Sequence, residues 1–423
     1  MLPQHPTLHL SRSRLRHNLR ILQSLAPPNA LLCPTLKANA YGHGVELLAP
    51  LLAAEGIRWA CVYSLPEALA LASLALPTPL NILTLSPVII PNPRDIPDDL
   101  LARLARLSES GGGAIRINLM DALSARHLAA GLLKANPKAC LPVHLQVDAG
   151  LTRMGTLPDA LPPLAREVAN LPGLHLEGLF AHFSHGDEPG HPTIPLQLQT
   201  FLHAALPLKQ EFPHLLLHAQ NSGGLFNAPP ALAAHLHLVR TGIALYGLQP
   251  SGGNGSNEDR PSAPPATTTT TNLQPIARLT APILALHTRT AGIGVGYGHT
   301  FTTARPSHLA IVPAGYADGY PRALSNDAIA QWHDAQGTAH PVPLVGRVSM
   351  DQLIFDVTDL FPIQDSGPRT QDFLVPRLGD PLTLISSHPA DHNSLDRLAP
   401  RLGTINYELA TGWGGRIKRV IED

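Results

Sequence analysis

Leu31-Leu-Cys-Pro-Thr-Leu-Lys-Ala-Asn-Ala-Tyr-Gly-His-Gly44 is the stretch from which the fold of the first half of the chain is read. Leu31 to Leu36 is an apolar run of strand length that ends on Lys37, and Gly42 and Gly44 then punctuate a turn. Seven further runs of this kind follow, at Trp59 to Ser64, Leu80 to Ser86, Ala114 to Leu119, Val143 to Val147, Leu174 to Phe180, Leu215 to Ala219 and Leu236 to Val239. Helical stretches separate them, the order expected of parallel strands joined by crossover helices. Eight strands in about 250 residues is the count and size of a (β/α)8, TIM-like barrel. A doubly wound open sheet alternates in a similar way, so the pattern alone leaves both architectures open.

Beyond the last of these runs the composition changes. Pro250 to Asn272, PSGGNGSNEDRPSAPPATTTTTN, has no apolar residue larger than Ala and buries too little surface to offset its ordering entropy. It is expected to be a linker or surface loop over 251–272, dividing a barrel at 1–250 from a second domain at 273–423. That second part carries strand-like runs at Pro282 to His287, His308 to Val312, Pro343 to Val348, Leu353 to Val357 and Pro381 to Ile385, with short helices near Leu395 and Tyr407. It is therefore expected to be mainly β. Near the N-terminus, Leu15, Leu19 and Leu22 form an apolar helical stripe among Arg12, Arg14, Arg16 and Arg20, and Ser11 is placed to cap it.

The 30 basic residues balance 31 acidic ones, so no global field exists to capture nucleic acid or an anionic membrane. Charged residues make up only 14% of the chain, against about 25% in average usage, which suits an extensive core and a large subunit interface. Cys33, Cys61 and Cys140 are odd in number and widely spaced, suggesting neither a disulfide framework nor a zinc site. No secretory signal is recognised at the N-terminus, and Pro77, Pro79 and Pro87 divide the uncharged stretch Ala68 to Ile90. A cytoplasmic protein without a membrane segment is expected.

In a barrel, polar residues at the C-terminal ends of strands face the active site. Here those ends carry Lys37, Asp148 with Arg153, His182, Asn221 with Ser222, and Arg240 followed by Thr241-Gly242-Ile243. Lys37 reads either as a surface lysine at a strand exit or as a desolvated amine able to form a Schiff base with a carbonyl cofactor. The ends of the seventh and eighth strands are where barrels commonly hold phosphate, and Ser222-Gly223-Gly224 and Gly242-Ile243 offer hydroxyl and backbone donors there. Schiff-base lysine and phosphate loop together point to pyridoxal 5'-phosphate, with Arg240 as a partner for the pyridine nitrogen.

Eight motifs, in order, then carry a resemblance: LKANAYGHG (36–44), HLQVDAGLTRMG (144–155), HAQNSGG (218–224), VRTGIALYG (239–247), VGYGHTF (295–301), AGYADGYPR (314–322), GRVSMDQ (346–352) and TINYE (404–408). The chain resembles alanine racemase over most of its length. The resemblance implies a pyridoxal-phosphate barrel followed by a β domain, working as a head-to-tail homodimer that interconverts L- and D-alanine for peptidoglycan. It implies Lys37 as the Schiff-base lysine and Tyr41, Ser222, Gly242, Ile243 and Tyr407 as holding the phosphate, with Asn221 beside them. Arg240 would face the pyridine nitrogen, and His182 would lie beside the ring, linked to Arg240 and the catalytic tyrosine. Arg153 would meet the substrate carboxylate, and Tyr297, with Tyr316, Met350 and Asp351, would come from the other subunit.

Racemisation removes a proton from one face of Cα and returns it to the other, so two acid-base groups must flank the substrate, and Lys37 and Tyr297 fill those roles. A tyrosine acting as a base near neutral pH needs a shift of up to about three pKa units, or about 4 kcal/mol, which cationic Arg240 and His182 are placed to supply. Gln146 stands where the family often has a carboxylated lysine orienting the equivalent of Arg153, so it brings an acceptor but no charge. Pro250 to Asn272 and the loop Gln364 to Arg369 are longer than the family needs. Gly292, Gly294, Gly296 and Gly298 alternate as in a strand-turn, not as a dinucleotide fingerprint. His182, His185 and His191, near Asp187 and Glu188, have no helix or cysteine partner to fix a ligand geometry, so no metal is expected. The alternatives are a broader amino-acid racemase on the same fold and a non-catalytic pyridoxal-phosphate carrier. Arg240 speaks against a decarboxylase, and the β domain with Tyr297 and Met350 speaks against a carrier.

Overall fold

The first strand, β1 (Thr7–Ser11), buries Leu8 and Leu10 on one face, while His9 on the other meets Glu422 Oε1 at 2.5 Å and Thr280 Oγ1 at 2.9 Å. The structure, a computed structural model, describes residues 4–109, 115–250, 272–361 and 375–423. The expected linker and the Gln364 to Arg369 loop lie outside the described residues, apart from the linker's last residue, Asn272. Ser11 accepts from Arg14 N at 3.2 Å at the start of the helix Arg12–Leu25, whose Leu15, Leu19 and Leu22 are buried.

Eight short parallel strands follow: β2 (Leu31–Leu32), β3 (Trp59–Val62), β4 (Asn81–Pro87), β5 (Ile115–Leu119), β6 (Leu141–Gln146), β7 (Leu174–Phe180), β8 (Leu216–His218) and β9 (Leu238–Val239). β3 to β8 pair in sequence order, and β2 pairs with β9. Two seams close the ring. Leu36 N and Cys61 N donate to Cys61 O and Pro34 O, each at 2.8 Å, joining β2 to β3. His237 N to Leu217 O, 2.7 Å, and Arg240 N to Gln220 O, 3.0 Å, join β8 to β9. The result is a (β/α)8 barrel. β2 is shorter than Leu31 to Leu36 because Pro34 has no N–H for the ladder.

The remaining strands are β10 (Ala277–Pro282), β11 (Ala285–Arg289), β12 (Gly294–Val295), β13 (Phe301–Thr302), β14 (Ser307–Val312), β15 (Ile329–His333), β16 (Ala339–Pro343), β17 (Leu353–Asp356), β18 (Pro381–Ile385) and β19 (Lys418–Glu422). They form a mainly β domain with a six-stranded sheet, β16-β15-β18-β10-β1-β19, and a three-stranded one, β11-β14-β17. β1 lies between antiparallel β10 and parallel β19, so residues up to Leu15 join Tyr246–Leu248 and Gln274–Asp423 as one compact unit, and Arg16–Leu245 falls in the other. This division differs from a boundary drawn at residue 250, because backbone pairing assigns β1 to the β sheet.

Two strand expectations also change. Pro282 to His287 is split between β10 and β11, because Ile283 N turns to Asp380 O and Leu284 N to Ile311 O as the chain passes from one sheet to the other. The run Pro343 to Val348 contributes only its first residue to a strand, since β16 lies before it at Ala339–Pro343 and Gly346 takes a φ of 79° beyond. Burial of Leu8 predicts that Leu8→Ala lowers unfolding free energy by about 2–5 kcal/mol in urea denaturation. A loss under about 1 kcal/mol contradicts the core position of β1.

Candidate active site

Lys37 follows β2 and opens a turn in which Ala38, Asn39, Ala40 and Tyr41 all have positive φ, between 51° and 55°. A left-handed conformation costs a non-glycine residue about 1–2 kcal/mol, so four in succession must be held by their surroundings. Ala40 N donates to Leu36 O and Gly42 N to Ala38 O, both at 2.9 Å, and Asn39 Oδ1 accepts from Val45 N at 2.8 Å. Glu67 supplies the external clamp. Its Oε1 accepts from Ala38 N at 2.8 Å, and its Oε2 from Tyr63 N and Ser64 N at 2.9 Å, within the capping box of the helix Leu65–Ala72. Burial lowers the pKa of Lys37, with Arg153 and Arg240 adding to the effect, which favours the free amine needed for Schiff-base chemistry. Burial pushes Tyr41 upward, so its hydroxyl stays protonated and available as a donor.

Tyr41 reaches the loop after β9. A Cβ on Gly242 would lie 2.7 Å from the Tyr41 hydroxyl and 3.8 Å from Ser222 Oγ, so only glycine leaves this cup open. Ser222 Oγ accepts from Gly242 N at 2.8 Å and Ala244 N at 3.3 Å, and Asn221 Oδ1 accepts from Gly224 N at 2.7 Å, capping the helix Ser222–Asn227. Thr241 Oγ1 beside them is buried with no hydrogen-bond partner among the described residues. Hydroxyls, glycine backbone and a nearby amine form a donor set that fits a phosphorylated carbonyl cofactor. Ile243 is buried just past the cup.

Arg240, only 2% exposed, lies behind this region. Its Nη2 donates to Ala181 O at 2.7 Å and Ala219 O at 3.2 Å and lies 3.3 Å from His182 Nδ1. Its Nη1 lies 2.6 Å from His218 Nδ1, His218 Nε2 is 2.9 Å from His144 Nδ1, and His144 Nε2 is 3.0 Å from Glu177 Oε2. Because a guanidinium only donates, the chain has one consistent polarity: Arg240 donates to His218, His218 to His144, and His144 to Glu177. Burial, assisted by Arg240, keeps both histidines neutral, and does the same to His182. Burial alone would raise Glu177, but the His144 hydrogen bond and the paired Arg116, whose Nε and Nη2 donate at 2.9 and 3.0 Å, hold it down to about 2. A Cβ on Gly178 would fall 2.5 Å from the His144 ring, so glycine makes the room for this relay.

Arg153 is exposed on a loop built by Asp148, whose Oδ1 accepts from Gly150 N, Leu151 N and Thr152 N at 2.9 to 3.0 Å. Gln146 Oε1 accepts from Asn118 Nδ2 at 3.0 Å, so that acceptor is engaged inside the barrel. Tyr297, Tyr316, Met350, Asp351 and Tyr407 belong to the β unit. Tyr297 sits on the turn between β12 and β13, 71% exposed, and Met350 and Tyr316 are 51% and 43% exposed. Tyr316 N and Ala317 N donate to Ser349 O and Met350 O, which brings these two loops together. Asp351 pairs with Arg416 at 2.7 Å. Tyr407 is half-buried on the helix Asn406–Thr411. Of the residues weighed for a metal, His185, Glu188 and His191 come together, while His182 turns to Arg240.

Family models for the alanine racemase N-terminal and C-terminal domains match residues 10–250 and 276–421. The chain belongs to the alanine racemase family. An alanine racemase of Desulfovibrio desulfuricans is 33% identical over 96% of this chain and 95% of its own length. The solved structure of alanine racemase from Bartonella henselae with covalently bound pyridoxal phosphate is 28% identical, with a TM-score of 0.74 over 99% of this chain and 100% of that one. A histidine racemase from Leuconostoc mesenteroides subsp. sake is 25% identical, with a TM-score of 0.76 over 99% and 98%. As an alanine racemase family member the chain is an amino-acid racemase.

Within this racemase scaffold, residue-by-residue reading of strand ends passes over Glu67, Arg116, His144, Glu177 and His218. The signal for the barrel residues was a polar side chain inside an apolar strand, as at Arg116 and Asn118 in β5 and His144 and Gln146 in β6. Two outcomes test the geometry. Ala38 is exposed, yet Ala38→Val should destabilise by more than about 1 kcal/mol because a β-branched residue resists positive φ, while Ala38→Gly is tolerated. Glu177 bears a folded pKa below its ordinary ~4.3, so its stabilisation is complete above about pH 4.3 and fades as pH falls towards 2. Urea denaturation across pH 6 to 3 should therefore show a shallower acid loss in Glu177→Gln; an unchanged slope contradicts the ionised relay.

Proposed function

We propose that this racemase uses pyridoxal 5'-phosphate to interconvert L-alanine and D-alanine, with Lys37 and the partner subunit's Tyr297 as its two acid-base groups. The observation that carries the reading is the half-buried Lys37 amine beside the Tyr41, Ser222 and Gly242 cup, in a chain that matches the family nearly end to end. Tyr41, Ser222, Gly242, Ile243 and Tyr407, with Asn221 beside them, would hold the phosphate. When bound, the cofactor supplies an electron sink that acidifies the substrate Cα–H. Lys37 takes or returns the proton on one face and Tyr297 on the other. Arg153 meets the substrate carboxylate, with Met350, Tyr316 and Asp351 lining the pocket from the partner. Arg240, whose visible acceptors are carbonyls and neutral histidines, presents a cation that withholds a proton from the ring nitrogen, and His182 stands beside it.

The exposure of Tyr297, Met350 and Tyr316 in a single chain supports a homodimer with shared sites. Among the described residues no helix is long and apolar enough to cross a membrane, and we place the enzyme in the cytoplasm, supplying D-alanine for peptidoglycan. The histidine racemase relative favours, as a second reading, a substrate range wider than alanine. Incubation with L-alanine, L-serine, L-lysine and L-histidine, followed by optical rotation, decides between them: alanine should react fastest, and turnover of another substrate without alanine contradicts the proposal. Tyr297→Phe should lower racemisation by about 10²- to 10⁴-fold while Cα proton exchange in D2O survives for one enantiomer only. Equal loss of exchange from both enantiomers contradicts the two-base assignment.

A further inference from the structure

His185, Glu188 and His191 are spaced three apart in a loop that ends where the helix Thr193–Glu211 begins. Two successive turns build the loop: Glu188 N donates to His185 O at 3.0 Å, and His191 N to Glu188 O at 3.2 Å, with Gly190 at a φ of 75° allowing the second reversal. One ligand atom from each side chain lies within 4.8 Å of the other two. The two imidazoles stack with centroids 3.9 Å apart and planes 2° from parallel. Tetrahedral zinc with bonds of about 2.0–2.1 Å needs donors about 3.3 Å apart, and because a metal lies in the plane of each imidazole that binds it, one ring must tilt out of the stack for both to reach the same ion. His185 Nδ1 is 2.7 Å from Ser184 Oγ, a contact that leaves Nε2 as its ligand atom and orients the ring as outer-shell partners of metal ligands do. His191 gives up one long hydrogen bond, from Thr193 N to its Nδ1 at 3.2 Å.

We propose that His185, Glu188 and His191 bind one divalent transition-metal ion of the zinc class. Two nitrogens and one carboxylate suit such an ion, whereas magnesium and calcium select oxygen-only sets. The loop is anchored on both sides: Ser184 N donates to Gln197 Oε1 at 3.0 Å, and Asn227 Nδ2 to Gly186 O at 2.9 Å. Asn227 ends the helix that begins at Ser222, so the ion pins the loop against the helix carrying the candidate phosphate hydroxyl. Neither the ion nor its ligands take part in racemisation. The site adds a metal-dependent brace to the barrel mouth.

The test titrates metal-free holoenzyme with Co2+, followed by visible absorption, and with Zn2+, followed by calorimetry. One saturable equivalent is expected for each, with none for Mg2+ or Ca2+, and saturating Zn2+ should raise the thermal midpoint. His191→Ala and Glu188→Gln should each weaken Zn2+ at least about tenfold, and the exposed Glu188 position makes the second a variant that folds normally. Absence of saturable binding, equal binding of Mg2+, or unchanged Zn2+ affinity in a His185→Ala/His191→Ala double variant overturns the proposal.

Discussion

A guanidinium buried in the middle of a barrel must have its donors satisfied, and the interior of this protein is arranged around that requirement. Among the described residues no carboxylate touches Arg240. Its donors go instead to the carbonyls of Ala181 and Ala219 and to His218, from which His144 carries the chain on to Glu177, the carboxylate paired with Arg116, and each histidine passes one hydrogen bond onward without taking a proton. Leaving such a donor unsatisfied at that depth costs about 1–3 kcal/mol, and more for a charged group. The relay therefore explains why polar residues interrupt β5, β6, β7 and β8, and why Gly178 cannot carry a side chain. Arg116, paired with Glu177 and lying 4.8 Å over the Trp59 ring, closes the far end.

The same fixed cation shapes the chemistry at the barrel mouth. Arg240 helps keep His182 neutral and lowers Lys37, so a group set deep in the barrel tunes two groups near its opening. Lys37 is placed by a different device, the left-handed turn after β2, whose conformational cost is offset by Glu67 and by the backbone bonds around it. A strained, clamped turn and a buried, hydrogen-bonded arginine place the amine and the cation on separate elements.

Much of this was legible in the sequence for physical reasons. Apolar runs of strand length mark all eight barrel strands, because a parallel strand buried on both faces has to be apolar. The strand-end rule picks out Lys37, His182, Ser222 and Arg240, and the order of the motifs identifies the family. The failures are also physical. β1 is five residues long and pairs with strands more than 260 positions away, so nothing local announces it. The split between β10 and β11 depends on a change of sheet, and three of the four positive φ values after Lys37 fall on alanine and tyrosine, which carry no turn signature, with only Asn39 among them favouring that region. The His185 cluster was visible as composition but not as geometry, because two turns, not a helix, bring its members together.

Lys37 is the residue proposed to bond the cofactor, and every other proposed role at the site follows from it. Reduction of the holoenzyme with borohydride, proteolysis and mass spectrometry of the peptides test this directly. The prediction is a single reduced pyridoxyl-phosphate adduct on Lys37. An adduct on Lys134, Lys138, Lys209 or Lys418 instead, with Lys37 unmodified, would contradict it.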